Sequence, residues 1–156
     1  MNKFIDNLSK FVSSFFGIGF IPVAPGTFGS LAGVIIYCFL WRFESVFYSA
    51  LILLILIGLL VSARAERAWA KKDPRFIVID EVAGSMVALI AVPLNLINLV
   101  SVFALFRIMD ITKPFPIKRV ENLPSGFGIM FDDVIAGLYA NLIFHIVFNF
   151  ASCRML

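Results

Sequence analysis

Charge is what this sequence has least of. Only 15% of its 156 residues are charged, whereas 61% are hydrophobic, and the mean hydropathy is +0.99. Soluble domains carry roughly 25% charged and about 45–50% apolar residues. Uncharged apolar runs of membrane-spanning length recur, which excludes an ordinary soluble core. Histidine is nearly absent. His145 stands alone, so a mechanism needing two histidines cannot be built, and with no ionisable neighbour it reads as a packed or interfacial residue. Cysteine is scarce as well. Cys38 and Cys153 are not spaced for a metal, Cys38 lies inside an apolar run where it packs, and a Cys38–Cys153 disulfide has no further support. The net charge is only +3, and its basic residues sit in short loops. They read as topology signals and anionic-lipid contacts, with no nucleic-acid partner implied.

What is present is one domain, residues 1–156, of an all-α, polytopic membrane bundle. It has about four to five short or broken spans and an N-terminal interfacial helix. That helix carries Lys3 and Lys10 and runs to about Phe16. A signal peptide is rejected, because no small-x-small cleavage site follows. Pro22 to Ser30 breaks regular structure. Residues 28–42 form the first apolar helix and residues 45–63 the clearest span. A basic loop from Arg64 to Arg75 follows, ended by Asp73–Pro74. Residues 82–106 are uncharged but interrupted by Pro93-Leu-Asn95. The loops before and after are both basic, so both belong in the cytoplasm. That requires a hairpin, about 82–92 and 96–109, with Pro93–Asn95 at its tip. Each arm is too short to cross a core of about 30 Å unaided, so it must tilt, thin the bilayer or be wrapped by other helices. Residues 134–150 form the last span.

This topology gathers the few charges at one face. Asp80, Glu81, Asp110, Asp132 and Asp133 all fall at cytoplasmic helix ends. Converging carboxylates repel unless a cation or base sits among them, and hard cations such as Mg²⁺ take oxygen ligands. An acid near a helix N-terminus can also be a simple cap, which suits one of Asp132 or Asp133 and one of Asp80 or Glu81. It suits Asp110 poorly, because Asp110 ends a helix. Arg107, Asp110 and Lys113, spaced i, i+3, i+6, share roughly one helical face. They form either a surface ion-pair ladder or a site in which Asp110 binds metal and the two cations hold phosphate oxygens. Thr27, Gly29 and Ser30, at a helix entry, suit phosphate binding or an ordinary capped turn. Ser125-Gly126-Phe127-Gly128 is an equally weak loop signal. Gly84 and Gly137 each follow an acid by four residues and permit close helix approach in lipid.

Several phosphotransfer motifs are missing. Pro124-Ser-Gly-Phe127 has phenylalanine where histidine lipid phosphatases carry histidine. There is no DxDxT, no CxxxxxR loop, and no spaced D-G-x-x-A-R array of CDP-alcohol phosphotransferases.

Four blocks together carry a resemblance. They are Pro25-Gly-Thr-Phe-Gly-Ser30, Asp80-Glu-Val-Ala-Gly84, Phe106 to Ile117 and Gly126 to Gly137. In this order they resemble the phosphatidylglycerophosphatase A family over residues 25–137. The resemblance implies a bacterial inner-membrane, multi-pass, Mg²⁺-dependent phosphatase with a cytoplasmic active site. Its substrate would be phosphatidylglycerophosphate within bilayer lipid. On that reading Asp80, Glu81, Asp110, Asp132 and Asp133 hold Mg²⁺. Arg107 and Lys113, with Thr27, Gly29 and Ser30, meet the phosphate. The nucleophile is water or an aspartate. A cation-coupled transporter and a catalytically silent assembly subunit are the other readings. The sequence leaves the oligomeric state open.

Overall fold

The computed structural model describes residues 3–124 and 126–153, with side chains through residue 148. Ser125 and the Cys153 side chain, and with them any Cys38–Cys153 pairing, lie outside the described residues. Among the described residues there are seven α-helices and no strand. They are α1 Lys3–Ser13, α2 Pro25–Leu40, α3 Glu44–Trp69, α4 Ile79–Ala88, α5 Leu96–Thr112, α6 Ile117–Val120 and α7 Gly126–Cys153.

Local chemistry sets most of the boundaries. Pro25 opens α2 at a position that needs no N–H donor, three residues ahead of the expected start. The Asn95 side chain accepts from the Asn98 amide at 2.8 Å and caps α5. Lys113 ends α5 in the left-handed region, φ 42°, and this carries its side chain off the face shared by Arg107 and Asp110.

Further expected boundaries move. Helix α3 runs to Trp69, so Arg64 and Arg67 lie on a helix and only its end is loop. Helix α7 starts at Gly126, eight residues before Val134, so Asp132 and Asp133 are helix-interior residues and neither is an N-cap. Gly126 and Gly128 permit this early start. A Cβ on Gly128 would lie 2.7 Å from the carbonyls of Glu121 and Leu123.

Two helices are long and apolar enough to cross a membrane, Glu44–Trp69 and the Gly126–Phe148 part of α7. The remaining expected spans are shorter. Helices α4 and α5 form the two arms of the expected hairpin, but the first runs Ile79–Ala88 and stops short of the expected residue 92, and wrapping answers its shortness. Every residue of α4 except Glu81 is buried, because α2, α3, α5 and α7 surround it. Ending α4 early frees backbone carbonyls in a region with little water, where each orphan is costly. Side chains take them up. Asn141 donates to Ala88 O and Ile90 O at 3.0 and 2.8 Å, Tyr37 Oη to Val92 O, and Asn98 to Pro93 O at 3.0 Å. His145 sits 3.1 Å from Ile90 O, a packed residue as expected.

Helix α1 has inverted polarity. Its buried residues are Asp6, Ser9 and Ser13, and Ile5, Leu8 and Phe11 face outward. Asp6 is ion-paired to Arg64 of α3 at 2.9 Å. A helix that turns its polar side to protein and its apolar side out fits lipid contact, in line with the expected interfacial helix.

Candidate active site

Four helix ends meet at one end of the bundle. Asp80 and Glu81 stand in the first turn of α4, where the helix dipole favours negative charge. Asp133 reaches them from the second turn of α7. Arg107 and Asp110 come from the last turns of α5, Lys113 from its cap, and Pro25 and Gly26 from the start of α2. Together with Ala24, Asp73, Arg75, Ile77 and Asp132 they line a cavity of about 280 Å³.

Small residues let these elements close together. A Cβ on Gly26 would lie 2.2 Å from Glu81 Oε1, so a side chain there would displace that carboxylate. A Cβ on Gly29 would lie 3.0 Å from Val78 atoms, and one on Gly33 would lie 2.0 Å from Ser85 Oγ. The three glycines thus seat α2 on α4.

The five acids divide into two groups. Asp80, Glu81 and Asp133 each place a carboxylate oxygen within 4.8 Å of the other two. One oxygen of each, Asp80 Oδ1, Glu81 Oε2 and Asp133 Oδ2, is enclosed and has no hydrogen-bond partner. Asp110 and Asp132 are instead engaged by bases. Arg107 Nη1 donates to Asp110 Oδ2 at 2.6 Å and to Ser30 Oγ at 3.3 Å. Lys113 Nζ donates to Asp132 and lies 3.6 Å from Glu121 Oε1. Asp132 Oδ1 also accepts from the Asp133 amide at 2.9 Å. The ion-pair ladder on α5 therefore holds for Arg107 and Asp110, while Lys113 crosses to α7.

Desolvation governs the charge states at the α4 end. Burial, reinforced by the Glu81 charge, holds Asp80 well above the ordinary carboxylate range. Burial and the Asp133 charge push Glu81 up to about 8. Burial would lower the Lys113 pKa, but Asp132 and Glu121 outweigh it and raise it, so Lys113 stays charged.

Sequence reasoning missed Asp73 and Arg75. Asp73 had been read as a helix terminator and Arg75 as a loop base, and no local signal distinguishes them from their neighbours. Burial raises Asp73 as well, opposed by Lys113. Glu121, the second partner of Lys113, was also missed. Thr27 and Gly29 do not line the cavity, and Ser30 reaches it only through Arg107.

The sequence profile described as phosphatidylglycerophosphatase A matches residues 11–148, which contain every residue lining this cavity. The chain belongs to the phosphatidylglycerophosphatase A family. It is similar to the Haemophilus influenzae protein named phosphatidylglycerophosphatase A, 42% identical over 132 residues, covering 82% of this chain and 81% of that one. The Escherichia coli protein of the same name is 36% identical over 126 residues, covering 79% and 73%. A Bacteroides thetaiotaomicron protein, named provisionally as a phosphatidylinositol-3-phosphatase, is 38% identical over 142 residues, covering 85% and 89%. No solved structure matches.

The acidic trio fits a divalent cation. Three carboxylates from two helices, each with one enclosed and unsatisfied oxygen, present hard oxygen donors at one point. Without a cation they would have to hold protons against their mutual repulsion.

Proposed function

We propose that this chain hydrolyses the terminal phosphate monoester of phosphatidylglycerophosphate, giving phosphatidylglycerol and inorganic phosphate. The trio of Asp80, Glu81 and Asp133 in a cavity that also holds Arg107 and Lys113 carries this reading. A phosphate monoester needs cationic neutralisation, and its uncatalysed hydrolysis is among the slowest reactions known. Asp80, Glu81 and Asp133 would hold Mg²⁺. When bound, the ion supplies Lewis acidity toward the phosphate and acidifies a water.

The chain's own residues do the rest. Arg107 and Lys113 are each held at the cavity by a carboxylate, Asp110 and Asp132, so both donor groups are in place before substrate enters. An entering phosphate competes with those carboxylates for the same N–H donors. Ser30 Oγ donates to Gly26 O at 2.8 Å while accepting from Arg107, which ties the guanidinium to the start of α2. Ile111, Phe115 and Phe127, on segments flanking the cavity, are exposed. They suit a substrate whose acyl chains stay in lipid and whose headgroup enters from the cytoplasmic side. The transporter reading finds no support, because the five acids all stand at one end of the bundle.

The test is phosphate release by the full chain in detergent micelles. Phosphatidylglycerophosphate, phosphatidylinositol 3-phosphate and glycerol 3-phosphate are compared, each with Mg²⁺ and with EDTA. Turnover of phosphatidylglycerophosphate that is lost in EDTA is expected. Preference for the inositol lipid would reassign the substrate, and undiminished turnover in EDTA would remove the metal.

A further inference from the structure

A second cavity lies at the other end of the bundle. It has a volume of about 290 Å³ and is lined by Tyr37, Trp41, Glu44, Phe47, Tyr48 and the hairpin tip at Ala91–Pro93. Helix α2 reaches from the acidic cavity at Gly26 to this one at Tyr37 and beyond. The 11 residues from Gly26 to Tyr37 separate the two by about 17 Å along the helix axis.

The walls are aromatic and set at steep angles. The Tyr37 and Phe47 rings lie 5.4 Å apart at 81°, and Phe47 and Tyr48 lie 5.5 Å apart at 65°. Tyr37 and Phe47 are buried and form the floor, whereas Trp41 and Tyr48 are partly open. Tyr37 is locked by its hydrogen bond to Val92 O, which also seats the hairpin tip. Glu44 is an exposed carboxylate of this cavity and has no ion-pair partner among the described residues. An aromatic enclosure with one carboxylate is complementary to an organic ammonium group.

A cation of the protein stands close by. The Arg42 guanidinium lies over the Trp41 ring, 5.3 Å from its centroid, and makes no ion pair with a described residue. Arg42, Glu44 and Trp41 share an adjoining open depression with Ser45. Beyond it Phe39, Phe43 and Val46 are exposed, Phe39 at 76%. An unpaired acid and an unpaired base two residues apart, beside a face fit for acyl chains, match both charges of one lipid headgroup.

We infer that this aromatic cavity binds a zwitterionic phospholipid headgroup, its ammonium against Glu44 and the rings, its phosphodiester against Arg42. The site is separate from the proposed phosphatase centre and consumes nothing there.

The experiment is native mass spectrometry of the full chain released from micelles. The probes are dihexanoyl-phosphatidylethanolamine, dihexanoyl-phosphatidylglycerol and free phosphoethanolamine. One ethanolamine lipid is expected to bind about tenfold more tightly than the glycerol lipid, which has the same chains and phosphodiester but no ammonium. Glu44→Gln is expected to remove that preference and Tyr48→Leu to weaken it, with phosphatase turnover unchanged as the check on folding. Equal binding of the two lipids, or a preference that survives Glu44→Gln, overturns the assignment. Phosphoethanolamine binding as tightly as the lipid overturns it too, in favour of a soluble amine.

Discussion

Gly137 of α7 lies so close to Gly84 of α4 that a Cβ on Gly137 would sit 2.3 Å from the Gly84 carbonyl oxygen. Each glycine follows an acid of the trio by one helical turn, Asp133 on α7 and Asp80 on α4. The contact therefore fixes how near the two carboxylates come. Small residues at a helix crossing let backbones approach in this way where lipid offers no hydrophobic drive.

Gly137→Ala should therefore damage both fold and site. The methyl meets backbone rather than a movable side chain, so a destabilisation of about 1–3 kcal/mol is expected. Thermal unfolding in micelles measures it, and turnover should fall further than stability, because α4 and α7 separate at the acids. A variant of wild-type stability and turnover would show that the crossing tolerates a wider gap.

Asparagine substitutions should sort the five acids. Asp80→Asn, Glu81→Gln and Asp133→Asn remove an anionic oxygen from the trio. Each should weaken Mg²⁺ activation by more than the roughly 10–100-fold typical of a supporting residue. Asp110→Asn and Asp132→Asn should lower turnover with a much smaller change in the Mg²⁺ concentration needed for half-activation. Titration of activity against Mg²⁺ distinguishes the two groups, and equal shifts across all five would return Asp110 and Asp132 to the metal.

Lys113→Met keeps the alkyl stem and removes the charge. Loss of one preorganised donor should cost roughly 10²-fold in turnover. Because Asp132 then loses its partner, Lys113→Met with Asp132→Asn should be no worse than Lys113→Met alone. Strictly additive losses in this cycle would show that the two residues act separately.

The acids at the α4 N-terminus also predict a pH dependence of stability. Glu81 is raised from its ordinary 4.5 to about 8 by burial and the Asp133 charge, and Asp80 is raised as well. A raised carboxyl is protonated in the fold while the unfolded chain is already ionised. Stability of the metal-free protein should therefore be full below about pH 4.5 and decline as pH rises through about 8. Melting curves in EDTA across that window check the slope, and added Mg²⁺ should flatten it, since the cation compensates the ionised trio.

Topology can be read with single cysteines at positions 72 and 118, in a chain lacking Cys38 and Cys153. On the proposed reading, in which the acidic end faces the cytoplasm, both should be shielded from an impermeant reagent applied outside. Labelling of one alone would contradict the hairpin.

Much of this was legible locally. The scarcity of charge marked long apolar helices, two of which are long enough to cross a membrane, Pro93 and Asn95 marked the hairpin tip, and the two glycines marked the close crossing. Those features depend on near neighbours along the chain, which a sequence displays directly. The division of the five acids did not show. Lys113 meets Asp132, 19 residues away, only because Lys113 leaves α5 in a left-handed turn and α7 begins at Gly126. Those two events rotate Asp132 toward a base and Asp133 toward Asp80 and Glu81. Adjacent helical residues point about 100° apart, so one shift in where α7 begins decides which acid faces which partner. The sequence by itself determined which residues are acidic and which end of the bundle they occupy. Only the packing of α7 against α4 and α5 decided which three carboxylates meet, because that choice depends on helix rotation, which no spacing within one segment records.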